Sequence, residues 1–232
     1  MKVGTDGILL GSWANGSEAD KILDIGTGTG LIALMLAQKY PAQIDALEID
    51  NEASLQASEN IAASPWNGRI KVVNMSFQEF ITVKDRKYDM IVSNPPFFQN
   101  SFKAPAKGRM LARHNDLLST AEILSGARNI LIAGGTLSII LPYIEGNVFI
   151  ATASGYGFYC IRKTNVIPSP GKTVNRLLLE FSEVKSRLAE DNLIISTGAR
   201  HHYSDKYKLM TRDYYLYFRD ENEIPSAMNT ES

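Results

Sequence analysis

The chain has one cysteine, Cys160, among 232 residues. A lone thiol excludes an intramolecular disulfide and any cysteine-clustered zinc site, and it points to a reducing, cytoplasmic setting. Histidine is equally scarce. His114, His201 and His202 show no metal-ligand spacing, so no metal is expected. No apolar run approaches the length of a membrane span, and the first residues lack the basic-then-apolar pattern of a signal peptide. Repeats and low-complexity segments are also missing. With 44% hydrophobic and 21% charged residues, the composition is that of a soluble globular protein, and the length fits one α/β domain with a substantial core.

A net charge of −1 conceals an uneven distribution. Residues 1–100 carry −4, residues 101–219 carry +7, and the last stretch, DENEIPSAMNTES (220–232), carries −4. The basic middle could attract a polyanion although the chain as a whole does not. The acidic end has the composition of a disordered tail, which leaves residues 1–219 as a single domain.

From Lys21 onward, short apolar runs alternate with segments of helical periodicity. KILDIG (21–26), QIDALEID (43–50), IKVVNM (70–75), YDMIVSN (88–94), GTLSIILP (135–142), YCIRKTNVI (159–167) and VNRLLLEFS (174–182) read as seven strands. Helical patterns separate most of them, and the last two are joined only by PSPGKT. The expected fold is therefore α/β: a doubly wound, mostly parallel, seven-stranded Rossmann-like sheet with helices on both faces and a C-terminal antiparallel hairpin.

The first strand runs into DIGTGTG, so Asp24, Gly26, Gly28 and Gly30 sit at its carboxyl end. Open α/β sheets bind ligands there, and a glycine turn lets the backbone come close to them. A dinucleotide fingerprint G-x-G-x-x-G would need glycine at position 31, which is Leu31. The strand-end acid Asp24 can face a cationic amino group instead. The second strand ends at Glu48, whose carboxylate can accept from both hydroxyls of a ribose. A nucleoside bearing an amino acid, as in S-adenosylmethionine, satisfies both features.

The fourth strand stops at SNPPFF (93–98), because neither proline can donate a ladder hydrogen bond. This strand should lie beside the first, which places Asn94 at the same pocket. The amino group of a planar ring is a poor nucleophile because its lone pair is delocalised. Two acceptors holding its N–H bonds, the Asn94 side chain and the Pro95 carbonyl, can turn the lone pair outward. Each proline keeps the residue before it extended, so both acceptors are pre-aimed, and Phe97 can stack on the ring. Phe98 has no evident role.

Together these residues resemble the class I methyltransferases of the adenine-N6 and glutamine-N5 type, whose signature is Asp/Asn/Ser-Pro-Pro-aromatic. KVGTDGILLGSWA (2–14), DIGTGTGLIALMLAQ (24–38), ENIAASPWNGRI (59–70), SNPPFF (93–98) and HHYSDKYKLMTRDYYLYF (201–218) narrow the resemblance to the tRNA1(Val) adenine-N6 methyltransferase family. It extends over residues 2–219. The resemblance implies methylation of the adenosine following the anticodon, with S-adenosylmethionine as cofactor and the tRNA anticodon loop as partner. It implies Thr5 and Asp6 near the cofactor's methionine part, alongside Asp24, Gly26, Gly28, Gly30, Glu48 and Asn94. At the place where such enzymes offer an aspartate to the cofactor's adenine, this chain has Ser76, followed by Phe77. Relatives also carry an aromatic-rich segment before the GTDG motif, so the chain reads as N-terminally shortened.

On the RNA side, Lys103, Lys107, Arg109 and Arg113 follow the Asn-Pro-Pro-Phe stop with no acid among them. Arg162, Lys163, Lys172 and Arg176 form a second basic group. Both could meet phosphates around an anticodon loop. A glutamine side-chain amide presents the same donors as adenine, so a protein N5-methyltransferase is the alternative enzyme, and a non-catalytic RNA- or cofactor-binding module is the alternative of another class. The basic middle region favours RNA over the former, and the intact Asn-Pro-Pro-Phe argues against the latter. A nicotinamide oxidoreductase is disfavoured by Leu31. Oligomeric state is not written in the sequence.

Overall fold

The computed structural model describes residues 4–83, 87–96, 118–199, 201–215 and 218. Phe97, Phe98, Lys103, Lys107, Arg109, Arg113 and the acidic segment 220–232 lie outside the described residues, so their expected roles rest on sequence alone.

The helices are α1 (Thr5–Trp13), α2 (Leu31–Lys39), α3 (Asn51–Ala62), α4 (Phe77–Val83), α5 (Thr120–Ile130), α6 (Tyr143–Ala153) and α7 (Asp205–Thr211). The strands are β1 (Lys21–Ile25), β2 (Gln43–Glu48), β3 (Ile70–Asn74), β4 (Tyr88–Ser93), β5 (Leu131–Pro142), β6 (Tyr159–Ile167), β7 (Arg176–Ser182) and β8 (Ala189–Ile194). They form one sheet in the order β3-β2-β1-β4-β5-β7-β6-β8. Only β7 is antiparallel to its neighbours, β5 and β6. The seven expected strands are all present, and the hairpin pairs as expected, with β7 inserted between β5 and β6.

The eighth strand corrects the expected count. β8 pairs with β6 in parallel from Arg162↔Ala189 to Ile167↔Ile194. Its sequence, AEDNLI, buries only Leu193, so it carries no apolar alternation. Side chains hold it instead: Lys163 pairs with Glu190 at 2.8 Å, and Asn165 donates to both Glu190 and Asn192 at 3.0 Å. Charges on an edge strand also discourage pairing with another chain.

Successive residues of the central strands point to opposite faces, and both faces are apolar, as a covered parallel sheet requires. Ile22, Ile44, Met90, Val92, Ile140 and Leu178 pack against Leu9 and Leu10 of α1, Ile32 and Leu36 of α2, and Tyr207 of α7. Leu23, Ile25, Ile91, Leu137, Ile139 and Leu179 pack against Phe77, Phe80, Ile123, Leu124 and Phe149 of α4, α5 and α6. α5 starts with a reciprocal cap: Ser119 accepts from the Glu122 amide, and Glu122 accepts from the Ser119 amide. α1 is fastened to the far side of the sheet. The Arg162 guanidinium stacks 3.6 Å from the Trp13 ring centre and bonds the Trp13 carbonyl, while Trp13 Nε1 donates to Thr164 at 2.8 Å.

Helix α5 approaches α4 through Gly126, where an added Cβ would lie 2.4 Å from the Phe77 ring. Phe77 is 3% exposed, so its ring has little room to yield. Gly126→Ala should gain helix propensity yet lose more to overpacking, a net destabilisation of about 1–2 kcal/mol in urea unfolding.

Candidate active site

β1 lies between β2 and β4, with Ile25 opposite both Leu47 and Ser93. Strand order reverses at β1, so the crevice beyond its carboxyl end is the natural ligand site of this fold. Ser93 Oγ, fully buried, donates to the Ile25 carbonyl at 2.9 Å. That bond fixes the end of β4 against the end of β1 and sets Asn94 beside the glycine loop.

The loop is shaped by backbone conformation. Gly26, Gly28 and Gly30 have φ of 71°, 59° and 85°, in the left-handed region that favours glycine. At Gly26 a Cβ would meet nothing within 4 Å, so the backbone faces open space. The Gly26 and Thr27 amides both donate to the Leu47 carbonyl at 2.9 Å. The Gly28 amide donates to Glu48 Oε2 at 2.8 Å, and the Asp50 amide donates to Oε1 at 2.9 Å. Each carboxylate oxygen of Glu48 thus has one protein donor and remaining lone-pair capacity. Glycine loop and acid form one unit, as the spacing predicts.

Asp24 is completely buried. Thr27 Oγ1 donates to its Oδ2 at 2.6 Å, whereas Oδ1 has no hydrogen-bond partner among the described residues. Burial, with a smaller contribution from the Glu48 charge, pushes the Asp24 pKa up to about 7 against the Thr27 hydroxyl and the Ala33 amide. A buried carboxylate oxygen without a partner is the feature a cationic ligand group would complete. Thr27, which orients it, was not singled out from sequence, although a hydroxyl three residues after a strand-end acid is a readable signal.

Asn94 is half-buried, and its side chain has no hydrogen-bond partner among the described residues; Pro95 is buried and Pro96 exposed. Asn94, Thr5 and Asp6 share a cavity of about 480 Å³ with Gly4, Leu9, Val166, Asn175, Arg176 and Ile195. The expected neighbours Thr5, Asp6 and Asn94 therefore do meet. The Asp6 carboxylate is already engaged, accepting from Arg176 Nε at 2.9 Å.

Ser76 and Phe77 border a cleft with Ile25, Gly26, Leu47, Ile49, Met75, Gln78 and Leu118. The Ser76 hydroxyl is committed to capping α4: it donates to Glu79 at 2.7 Å and accepts from the Glu79 amide at 3.2 Å. Phe77 is core, packed across α4 onto α5.

Arg162 and Lys163 are not among the residues lining the cavity around Asn94. Arg162 pairs with Glu180 at 2.8 Å and Lys163 with Glu190 at 2.8 Å. Arg162 also precedes the carboxyl end of β6 by five residues, about 16 Å at the usual strand rise. Both side chains are thus engaged in ion pairs within the sheet. A cavity of about 590 Å³ opens at the opposite, amino end of the strands, lined by residues including Lys21, Asp45, Arg69 and Tyr88, and holds none of the expected site residues. Among the described residues no cluster of His, Cys, Asp and Glu could hold a metal ion, and no helix is long and apolar enough to cross a membrane.

The strand order, with the glycine loop, the buried acid and the Asn-Pro-Pro stop meeting at its reversal, defines a class I methyltransferase. The methyltransferase small domain family matches residues 4–144. Curated relatives named tRNA1(Val) (adenine(37)-N6)-methyltransferase include one from Bacteroides fragilis, 48% identical over 93% of this chain and 91% of its own, and one from Trichodesmium erythraeum, 46% identical over 93% and 91%. The chain belongs to that family of methyltransferases. In fold it is similar to the structure of a predicted O-methyltransferase from Agrobacterium tumefaciens (TM-score 0.71, 20% identity, covering 90% of this chain and 96% of that one) and to a methyltransferase from Pyrococcus furiosus (TM-score 0.53, 22% identity, 77% and 81%).

With Asp24 protonated in the folded state up to about pH 7 but ionised above about pH 4 when unfolded, the unfolded chain binds fewer protons across that window. Its contribution to stability must therefore fall as pH rises from about 4 to 7 and level off above. Asp24→Asn should remove this fall. Comparing urea stabilities of the two proteins at pH 4.5 and 7.5 should show the variant gaining roughly 2–4 kcal/mol relative to wild type at the higher pH.

Proposed function

We propose that the chain transfers a methyl group from S-adenosylmethionine to N6 of the adenosine following the anticodon of a valine tRNA. The observation carrying this reading is the placement of Asn94: half-buried, unpartnered among the described residues, and held beside the glycine loop by the Ser93–Ile25 bond.

The residues present fit the cofactor. Asp24 offers a buried carboxylate oxygen, unpaired among the described residues, to an ammonium group. Glu48, pre-oriented by two backbone amides, offers both oxygens to ribose hydroxyls. Gly26 leaves its side of the loop open. When bound, the sulfonium supplies an electrophilic methyl group. The Ser76 hydroxyl, engaged in its cap, keeps one acceptor lone pair toward adenine in the neighbouring cleft, whose apolar walls are Ile25, Leu47, Ile49 and Met75.

On the acceptor side, Asn94 Oδ1 and the Pro95 carbonyl take the two N–H bonds of the target amino group. Extended backbone before each proline limits the freedom lost when they do so. The attacking amine is neutral, so alignment rather than a strong base supplies most of the acceleration. Phe97 is proposed to stack on the ring, and Lys103, Lys107, Arg109 and Arg113 to approach anticodon-loop phosphates. A loop adenosine is already partly unstacked, which lowers the cost of extruding it.

The test is methyl transfer from labelled S-adenosylmethionine to bulk tRNA from cells lacking the enzyme, followed by nucleoside mapping. Label in N6-methyladenosine next to the valine anticodon is expected; label in a protein glutamine would refute the reading. Asn94→Ala should lower kcat by at least a hundredfold while changing the cofactor Kd less than about threefold, because the acceptor it removes acts chiefly on the target base, while Asp24 and Glu48 still hold the cofactor.

A further inference from the structure

Two observations single out Arg176 within the cavity that Asn94 occupies. Its guanidinium is immobilised on one side only: Nε donates to Asp6 Oδ2 at 2.9 Å and Nη1 to the Asn175 carbonyl at 3.0 Å, while Nη2 has no partner among the described residues. Its position is also unlike that of the other basic residues of this half. β7 is antiparallel, so its first residue, Arg176, stands at the same edge as the carboxyl ends of β4 and β5, paired with Pro142. Arg162 and Lys163, by contrast, stand several residues before the carboxyl end of β6 and pair with acids on the adjacent strands.

The cavity itself indicates which anion Arg176 would meet. Its walls are Asn94, the first turn of α1, and Val166, Asn175 and Ile195 from the β6–β8 side; Asp24, the loop glycines and Glu48 are not among them. Arg176 therefore stands beside Asn94 and apart from the glycine loop, on the side where Thr5 and Asp6 would border the cofactor's methionine end. A volume of about 480 Å³ suffices for a nucleoside. A base reaching Asn94 brings its own phosphodiesters to the cavity mouth, and a pre-oriented guanidinium with a free donor edge is the side chain best suited to a phosphate oxygen.

We infer that Arg176 is a phosphate-binding residue for the target nucleotide, held in place by Asp6. This rests on the proposed RNA substrate. The competing source of the same anion chemistry is the carboxylate of the cofactor's methionine part, and the experiment separates the two.

Binding of valine tRNA transcript and of S-adenosylmethionine is measured separately on the full chain, for wild type, Arg176→Gln and Arg176→Lys, with tRNA affinity followed from 50 to 200 mM salt. Arg176→Gln should weaken tRNA binding about five- to twentyfold, flatten the slope of log affinity against log salt by about 0.7–0.9, and leave the cofactor Kd within twofold. Arg176→Lys, which keeps the charge but loses the fork, should retain the slope while recovering only part of the affinity. An unchanged salt slope in Arg176→Gln, or weakened cofactor binding with tRNA binding intact, would overturn the inference. Wild-type protein that methylates no tRNA would instead remove the reading on which it rests.

Discussion

The site depends on one adjacency, that of β1 with β4. Their parallel register brings Ile25 opposite Ser93, and the buried Ser93–Ile25 bond closes the two strand ends together. The glycine loop and the Asn-Pro-Pro stop are separated by more than sixty residues in sequence, yet each is simply the next residue after its strand. Once the sheet order reverses at β1, the fold has no other place to put them. β2 then contributes the third element, since Glu48 reaches back to the Gly28 amide and shapes the loop from the other side. A slip of one residue between β1 and β4 would turn Asp24 and Asn94 to opposite faces and dissolve the constellation.

That arrangement carries an energetic cost. Asp24 stands among the apolar residues Ile22, Leu23 and Ile25 of β1 with one carboxylate oxygen unpaired among the described residues, and burial raises its pKa to about 7. Folding alone would favour an apolar residue at this position, because a buried charge without a complete set of partners is destabilising. The cost is tolerable because the surrounding sheet is closed on both faces: Ile22, Val92 and Ala46 are fully buried around it. Instability is thereby confined to one side chain at the centre of a rigid scaffold, where a bound cation can relieve it.

Much of this was legible in the sequence, for a physical reason. Strands β1 to β7 are apolar runs bounded by glycine, proline or helical periodicity, so their existence follows from burial on both faces. Glycine with positive φ leaves a direct trace, and so does proline at a strand end. β8 left none, because AEDNLI is held by Lys163, Asn165 and Thr164 across the strand boundary rather than by its own apolar pattern. Helix α1 was missed for the opposite reason. GILLGSW is buried almost throughout, from Gly7 to Trp13, so no polar face marks its period. Ser76 illustrates a third limit. Its place in the chain suggests a ligand contact, but Ser76 and Glu79 together spell a helix cap, and the cap engages the hydroxyl.

Charge was the least readable property. Counted along the chain, the middle region is strongly basic, and Arg162, Lys163 and Arg176 look equivalent. Folding sorts them. The strand-interior pair meets Glu180 and Glu190, residues whose sequence distance hides their partnership. At a half-buried position an arginine needs such a partner, because an uncompensated charge there costs more than a surface one. Arg176 meets an acid too, but at the edge of the sheet and through Nε only; with Nη1 on the Asn175 carbonyl, Nη2 stays available among the described residues. The distinction lies in geometry rather than composition: a cation serves recognition when its neutralising partner fixes it and still leaves it a free hydrogen-bonding face.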